Sequence, residues 1–307
     1  MKTTNSQNLL VVALVGALTA TVAQAQTDSG FYRPLTLAPA ESPVGGSGGA
    51  GAAAEPEAGG GGGADDTAEL AKKLQNPIAA MISVPIQNNF DFGAGRDGDG
   101  FQYLVRVQPV IPFDLSKNWN LISRTILPVI YQQNYIGRTS QSGLGDTIQN
   151  LFFSPKALWH GWTWGAGPVF QFPTATDGLL GSEKWCMGPT AVVLKQEHGW
   201  TYGMLMNQFT SFAGNESRKD VNYIFLQPFL SYTLKSHTTF SVNSESTYNW
   251  KSQEWTVPLN LMVSQVVKIG KMPLQFQVGG RYYAETPDNG PTWGLRFTVT
   301  FLFPSKH

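Results

Sequence analysis

The sequence of 307 residues predicts an all-β fold: a transmembrane antiparallel β-barrel of about 12 strands, preceded by a flexible Gly-rich linker and a short helix. Three observations predict this fold. Apolar and polar residues alternate over long segments, the connections are tight on one side of the sheet and longer on the other, and tryptophans lie at the segment ends. Charged residues make up only 14% of the chain, whereas about 25% is usual in soluble domains.

The C-terminal segment WGLRFTVTFLF (293–303) shows the alternation most clearly. Every second residue from Trp293 is apolar, and the residues between them are small or polar, except Leu302. A period of two is typical of a β-strand with two unlike faces. We expect the apolar face to contact lipid and the polar face to line a wet lumen. The sheet must then close, because unpaired backbone groups in hydrocarbon are costly.

Twelve candidate strands follow one another through the remainder of the chain, and most are ten to fourteen residues long. A strand needs about nine to eleven residues to cross a bilayer, whereas soluble strands average about five or six. The registers of the fourth, sixth, seventh and eighth strands stay open. The candidate strands are 81–92, 101–112, 119–131, 145–155, 162–173, 185–196, 200–211, 221–234, 239–250, 254–267, 273–284 and 292–303.

The connections between these strands alternate in kind. Short turns such as EHG (197–199) follow the even-numbered strands, and most other connections are longer, as in TATDGLLGSEK (174–184). Tryptophans occur at both ends of the candidate strands, and such a pair of bands is typical of the two membrane–water interfaces. Trp119, Trp159, Trp162 and Trp200 lie at the turn ends, and Trp185, Trp250, Trp255 and Trp293 lie at the loop ends. The alternative, a secreted soluble β-sandwich, would bury its tryptophans in the middle of the strands.

The N-terminus predicts export. Lys2 precedes an apolar run over 9–22, and Ala23-Gln24-Ala25 has the small-x-small pattern of a cleavage site, so residues 1–25 are predicted to be a signal peptide cut after Ala25. A membrane anchor is the alternative. The predicted location is therefore the bacterial outer membrane.

A linker and a helix connect this peptide to the barrel. Residues 26–65 are rich in Gly and Ala and predict a disordered linker. Residues 66–76 predict a short periplasmic helix with Leu70 and Leu74 on one face. The barrel domain is assigned to 77–307. The helix either packs against the mouth of the barrel or attaches loosely to its surface.

Two blocks and the last strand carry a resemblance. They are ELAKKLQNPIAAMISVPIQNNFDFG (69–93), GLGDTIQNLFFSPK (143–156) and GLRFTVTFLF (294–303). The chain resembles the bacterial outer-membrane protein family of the meta-pathway of phenol degradation, whose members are often labelled transporter or, misleadingly, neuromedin U. The resemblance implies a Gram-negative outer-membrane barrel that takes up organic compounds, and it supplies no binding residues. The tail 304–307 departs from the many barrels that end on the aromatic residue.

Charged residues of the predicted strands are candidates to line the lumen. Alternation turns them inward, where charges in membrane strands usually point. Four arginines come from the second, third, eleventh and twelfth strands, which become near neighbours when the last strand closes on the first. This basic arc is Arg106, Arg124, Arg281 and Arg296, and the acids predicted to oppose it are Asp146 and Glu245. Such an arrangement would order polar solutes. Alternatively, the arginines pair with inward acids or carbonyls and only fill the barrel.

An aromatic patch on the eighth strand is the other candidate solute site. If Leu226, Leu230 and Leu234 face lipid, the lumen receives Tyr223, Phe225 and Phe229. The opposite register stays open. Twelve strands predict a narrow lumen, because barrel diameter grows with strand number.

Several functional classes are disfavoured. The formal net charge is zero, which argues against nucleic-acid binding. Three of the four histidines lie in or beside tight turns, where they have no nucleophile to activate, so we expect no enzyme. No metal-spaced His/Cys cluster or phosphate loop predicts a cofactor. The predicted function is a narrow channel or transporter for small organic solutes, aromatic ones included. The alternatives are a structural barrel with a plugged lumen and an outer-membrane hydrolase. Expected partners are outer-membrane lipid, the barrel assembly machinery and an unknown small solute.

Overall fold

The computed structural model describes residues 69–270 and 272–303, so the predicted signal peptide, the linker, the start of the helix and the tail lie outside the described residues. Fifteen strand segments make one antiparallel sheet. They are β1 (Ile82–Ala94), β2 (Gly100–Val107), β3 (Val110–Asp114), β4 (Trp119–Gln133), β5 (Ser140–Leu144), β6 (Thr147–Pro155), β7 (Trp162–Phe172), β8 (Lys184–Glu197), β9 (Trp200–Gly214), β10 (Asn222–Thr233), β11 (Thr238–Ser244), β12 (Ser246–Asn249), β13 (Glu254–Ile269), β14 (Met272–Glu285) and β15 (Trp293–Phe303).

The sheet is a closed barrel of twelve strands, which confirms the predicted fold class. Three pairs of segments, β2/β3, β5/β6 and β11/β12, are single strands interrupted by one or two residues, because both members of each pair bond to the same neighbour. The ring closes where β15 pairs with β1, from Ile82 opposite Phe303 to Phe92 opposite Trp293. Among the described residues, no helix is long and apolar enough to cross a bilayer.

The two faces of the wall separate as the alternation predicts. In β15, Leu295 and Phe297 are 50% and 40% exposed on the outside, whereas Arg296 between them is 3% exposed on the inside. β13 behaves in the same way, with Leu261 69% exposed outside and the adjacent Met262 3% exposed inside. An apolar outer face and a polar inner face are the arrangement of a membrane barrel rather than of a soluble sandwich.

Aromatic side chains ring both ends of the outer face. We call the end with the connections 115–118, 156–161, 198–199 and 234–237 the turn end, and the opposite end the loop end. At the turn end, Trp119 contacts Trp164 edge to face and Trp200 packs on Tyr232. At the loop end, Trp293 stacks on Phe92 with ring centroids 4.5 Å apart. The tight turns place residues such as His198 and Gly199 at positive φ (49° and 84°), as two-residue hairpins require.

A segment N-terminal to the barrel enters its turn end. Residues 69–73 are helical and 74–81 form turns, and we call residues 69–81 the plug segment. Ala71 is fully buried in a cluster with Met81, Val266 and Leu302. Val266 and Leu302 belong to the buried inner faces of β13 and β15 near the turn end, so the helix lies inside the barrel mouth rather than loosely on its surface.

The far end of the plug segment contacts the opposite wall. Ile78 is 4% exposed and packs on inward aliphatic and aromatic side chains of β3, β4, β6, β8 and β9. These side chains are Val110, Ile122, Phe152, Val192, Leu194 and Leu205. Gln196 of β8 donates a hydrogen bond to the carbonyl of Lys72 (2.8 Å) and adds a polar contact. The plug segment therefore crosses the lumen near its turn end.

Candidate functional site

The four predicted arginines lie on neighbouring strands inside the barrel. Arg281 and Arg296 belong to β14 and β15, and Arg106 and Arg124 belong to β2 and β4, with β1 between the two pairs. Ring closure therefore brings them to one side of the lumen, as predicted. With Asp91 and Glu245 they form a set that we call the charge cluster.

Glu245 is the centre of the charge cluster. Its carboxylate binds Arg296 (2.8 Å), Arg106 (3.0 Å) and, more distantly, Arg281 (3.6 Å). The residue lies in the gap between β11 and β12, where the facing part of β13 has Pro258, which has no N–H to donate to the ladder. Glu245 was predicted to oppose the arginines across the lumen, but it contacts three of them directly, so the charges neutralise each other at close range.

Asp91 is a member of the charge cluster that the sequence analysis missed. It pairs with Arg281 at 3.2 Å, and both side chains are almost fully buried, at 3% and 4% exposure. Gly294 of β15 lies between them in register, and a Cβ there would stand 2.5 Å from the Asp91 carboxylate. The missing side chain of Gly294 thus makes room for an ion pair that crosses one strand. The sequence could have identified Asp91, because in the alternation of β1 it falls on the face that points into the lumen.

Arg124 has different partners from the other three arginines. Its guanidinium donates a hydrogen bond to Gln108 Oε1 (2.8 Å), and Gln108 donates in turn to Gln87 (3.2 Å). No ion pair joins it to an Asp or Glu within residues 69–270 and 272–303. Arg296, by contrast, is saturated, because it binds both Glu245 oxygens and also donates to Asn89 (2.8 Å).

Asp146 does not oppose the basic arc. Its carboxylate accepts hydrogen bonds from the backbone and hydroxyl of Ser182 (both 2.7 Å) and from Gln171 (3.1 Å). It thus fastens the loop 173–183 to the loop end of the wall. The alternation predicted that Asp146 points inward, but it could not predict that a residue of a long loop, Ser182, would bind its carboxylate.

The aromatic patch of β10 faces the lumen. Phe225 and Phe229 pack against the buried cluster around Ile78, while Leu230 on the other face is 41% exposed, so the register assumed for the patch is the one observed. Tyr223 stacks on Phe209 of β9 with centroids 4.7 Å apart, and its hydroxyl donates to Gln171 (3.0 Å). We call Phe209, Tyr223 and Phe225 the aromatic wall. Phe209 was missed, since the register of its strand was open.

A cavity of about 310 Å³, the lumen cavity, separates the charge cluster from the aromatic wall. Arg106, Arg124, Arg281 and Glu245 line it on one side. The aromatic wall and two isoleucines also line it, together with Tyr283 and with amide, threonine and proline side chains. Charged and aromatic surfaces therefore face one space, although Asp146 does not contribute.

The lumen cavity communicates with the loop end. A vestibule of about 530 Å³ lies between the loops 95–99, 134–139 and 286–292, and Thr256 and Tyr283 line both spaces. Tyr135 reaches into this vestibule from its loop, and burial raises the pKa of its phenol, which stays protonated at neutral pH. The vestibule thus offers solutes from the loop side the hydroxyls of Tyr135 and Tyr283 beside the charged residues Arg96 and Asp288.

Smaller cavities continue towards the turn end. Spaces of about 170 and 190 Å³ border the plug segment at Leu74, Gln75 and Pro77, and both share Gln87 and Arg124 with the lumen cavity. The cavities therefore follow one another from the vestibule past the charge cluster to the plug segment.

The described residues contain no group of three or more His, Cys, Asp and Glu side chains placed to hold a metal ion. His160, His198 and His237 lie in tight turns with positive φ, and His307 lies outside the described residues.

Comparison with solved structures supports the fold. The chain is similar to the COG4313 outer membrane channel from Pseudomonas putida F1, with a TM-score of 0.58, 15% identity, and coverage of 73% of this chain and 96% of that chain. A weaker similarity relates it to outer membrane phospholipase A from Escherichia coli, with a TM-score of 0.42, 15% identity, and coverage of 78% and 98%. At these identities the likeness concerns the outer-membrane barrel fold alone. No protein-family model and no curated protein matches the sequence.

Proposed function

We propose that the protein is an outer-membrane channel that takes up small organic solutes, aromatic ones included, and that the plug segment holds it in a nearly closed state. The observation that carries the proposal is the series of cavities from the vestibule to the plug segment, because side chains fill a barrel of about eight strands, whereas this twelve-stranded barrel keeps open space inside. The neighbour from Pseudomonas putida, itself described as a channel, is consistent with it.

Finer parts of the proposal rest on the sequence. We propose that the chain is a Gram-negative member of the phenol meta-pathway family, because its blocks 69–93 and 143–156 resemble that family. We also propose cleavage after Ala25, with the turn end in the periplasm, since short turns face that side in such barrels.

A structural barrel with a plugged lumen is the second candidate. It is favoured by the burial of Ala71 and Ile78 against opposite walls and by the close pairing of Glu245 with three arginines. A hydrolase is a weaker candidate, because the described histidines lie in turns rather than beside an acidic partner in the lumen.

Proteoliposome swelling tests the proposal. The purified mature chain should admit single-ring organic solutes and exclude a trisaccharide, because the path is narrow. Liposomes without protein are the control. No swelling with any solute, even after removal of residues 26–80, would favour the structural barrel, and release of fatty acid from the liposomes would favour the hydrolase.

A further inference from the structure

Arg124 is the arginine of the charge cluster whose guanidinium pairs with none of the cluster's carboxylates. A guanidinium carries five N–H donors, and the structure gives this one a side-chain hydrogen bond to Gln108 and no ion pair within residues 69–270 and 272–303. Four guanidinium groups face two carboxylates in the cluster, so the cluster carries an excess of positive charge. Low-dielectric walls strengthen the attraction of such an excess for an anion.

The side chain of Arg124 is placed to receive a ligand. It is only half-buried, and it lines the lumen cavity and both smaller cavities towards the plug segment. A solute therefore passes this group in the lumen cavity and in both smaller cavities. Arg296, by contrast, is 3% exposed and already binds Glu245 and Asn89.

The aromatic wall lies opposite this arginine. Arg124 belongs to β4 and Phe225 belongs to β10, and the four strands β6, β7, β8 and β9 separate them along one side of the twelve-stranded ring. Both residues line the same cavity of about 310 Å³, a volume near the lower limit of about 300–1,000 Å³ for ligand pockets. The space suits one ring rather than a fused or branched molecule.

We propose that the lumen cavity binds an aromatic carboxylate, with the carboxylate on Arg124 and the ring against Tyr223 and Phe225. This inference rests on the channel function proposed above and names its substrate class. Arginine binds carboxylates with two parallel hydrogen bonds, and aromatic side chains bind a ring in offset-stacked or edge-to-face contact. A solute with only one of these two features satisfies half of the site.

Calorimetric titration of the solubilised mature chain with benzoate, benzamide and acetate tests the proposal. Benzoate should bind at least tenfold more tightly than either analogue, because charged hydrogen bonds and ring contacts act together. Arg124→Gln should weaken benzoate at least tenfold and leave benzamide unchanged. Phe225→Leu should weaken benzoate by about two- to tenfold.

Arg138→Gln is the matched control. Arg138 lies on the loop 134–139 with its side chain 83% exposed, and neither it nor its partner Asp97 lines the lumen cavity. This variant should bind benzoate as the wild type does. Equal binding of benzoate and benzamide, or benzoate binding that survives Arg124→Gln in a folded barrel, would overturn the proposal.

Liposome swelling separates this inference from the channel function. Swelling with single-ring solutes without selective benzoate binding would leave the channel standing and remove the carboxylate site. Selective benzoate binding without swelling would keep the site and remove the channel.

Discussion

The two sides of the lumen wall differ in chemistry, although the same alternation shapes both. The side formed by β14, β15, β1, β2 and β4 turns arginines, acids and amides inward, and its most buried polar members include Asn89, Asp91 and Arg296. The side formed by β6 to β10 turns inward Phe152, Leu194, Leu205 and the aromatic wall. We call these the charged side and the apolar side.

The difference shows that the plug segment docks on one surface of the lumen wall and that solutes contact another. Ile78 of the plug segment docks mainly on the apolar side, where burial of apolar area stabilises it. The arginines of the charged side are held by the ion pairs of the charge cluster, and Arg124 is left facing the cavities. A plug that moves would thus expose mainly apolar surface, while the charge cluster keeps its geometry.

The largest expected effect comes from Glu245→Gln in the charge cluster. The change leaves Arg106, Arg281 and Arg296 without the carboxylate that they share, and removing one partner of a buried pair costs about 3–5 kcal/mol. Urea unfolding in lipid vesicles should show this loss. Glu216→Gln, on an exposed loop, is the control and should cost under about 0.5 kcal/mol. A loss equal to that of the control would mean that the cluster does not hold the wall.

The next largest effect is a loss of stability that distinguishes the lipid-facing side of the wall from the lumen-facing side. Phe297→Arg places a charge in lipid near the middle of β15 and should cost about 2–4 kcal/mol in the same unfolding assay. Gln277→Arg is the matched change on a lumen position that borders the cavities, where water solvates the charge. Similar losses for both variants would show that the two faces are assigned wrongly.

A smaller, local effect is expected on the apolar side. Ile78→Ser removes the side chain that docks the plug segment and should weaken docking by about 2 kcal/mol or more without unfolding the barrel. Protease added from the turn side should then cut within 69–81 faster than in the wild type. Ile136→Ser, on an exposed loop, should leave the cutting rate unchanged.

The smallest effect on stability is expected from tags inserted in the loops and turns. These tags test the orientation of the barrel in the membrane. Tags at 97–99 or 215–219 should be labelled on intact cells, and tags at 198–199 or 236–238 should not, because loops and turns occupy opposite ends. Labelling of the turn tags alone would mean that the barrel is inverted.

Much of the wall was predictable from the sequence, because alternation is a local signal. It assigned β15 correctly and turned all four arginines inward. Strand order then predicted that they are neighbours, since closure of an antiparallel ring fixes adjacency.

Contacts across the lumen were less predictable. They depend on barrel diameter and strand stagger, which no local pattern encodes. Glu245 therefore turned out to touch the arginines rather than to face them, and Asp146 turned out to bind a loop. The position of the plug segment was left open for the same reason, because the two leucines of its helix fit a surface as well as a lumen.

The most direct test of the account is single-channel conductance in planar bilayers. The mature chain should show low conductance, and removal of residues 26–80 should raise it severalfold by clearing the turn end of the lumen. Removal of residues 26–65 alone keeps the plug segment and should behave as the mature chain does. No conductance in any of the three proteins, or equal conductance with and without the plug segment, would contradict the account.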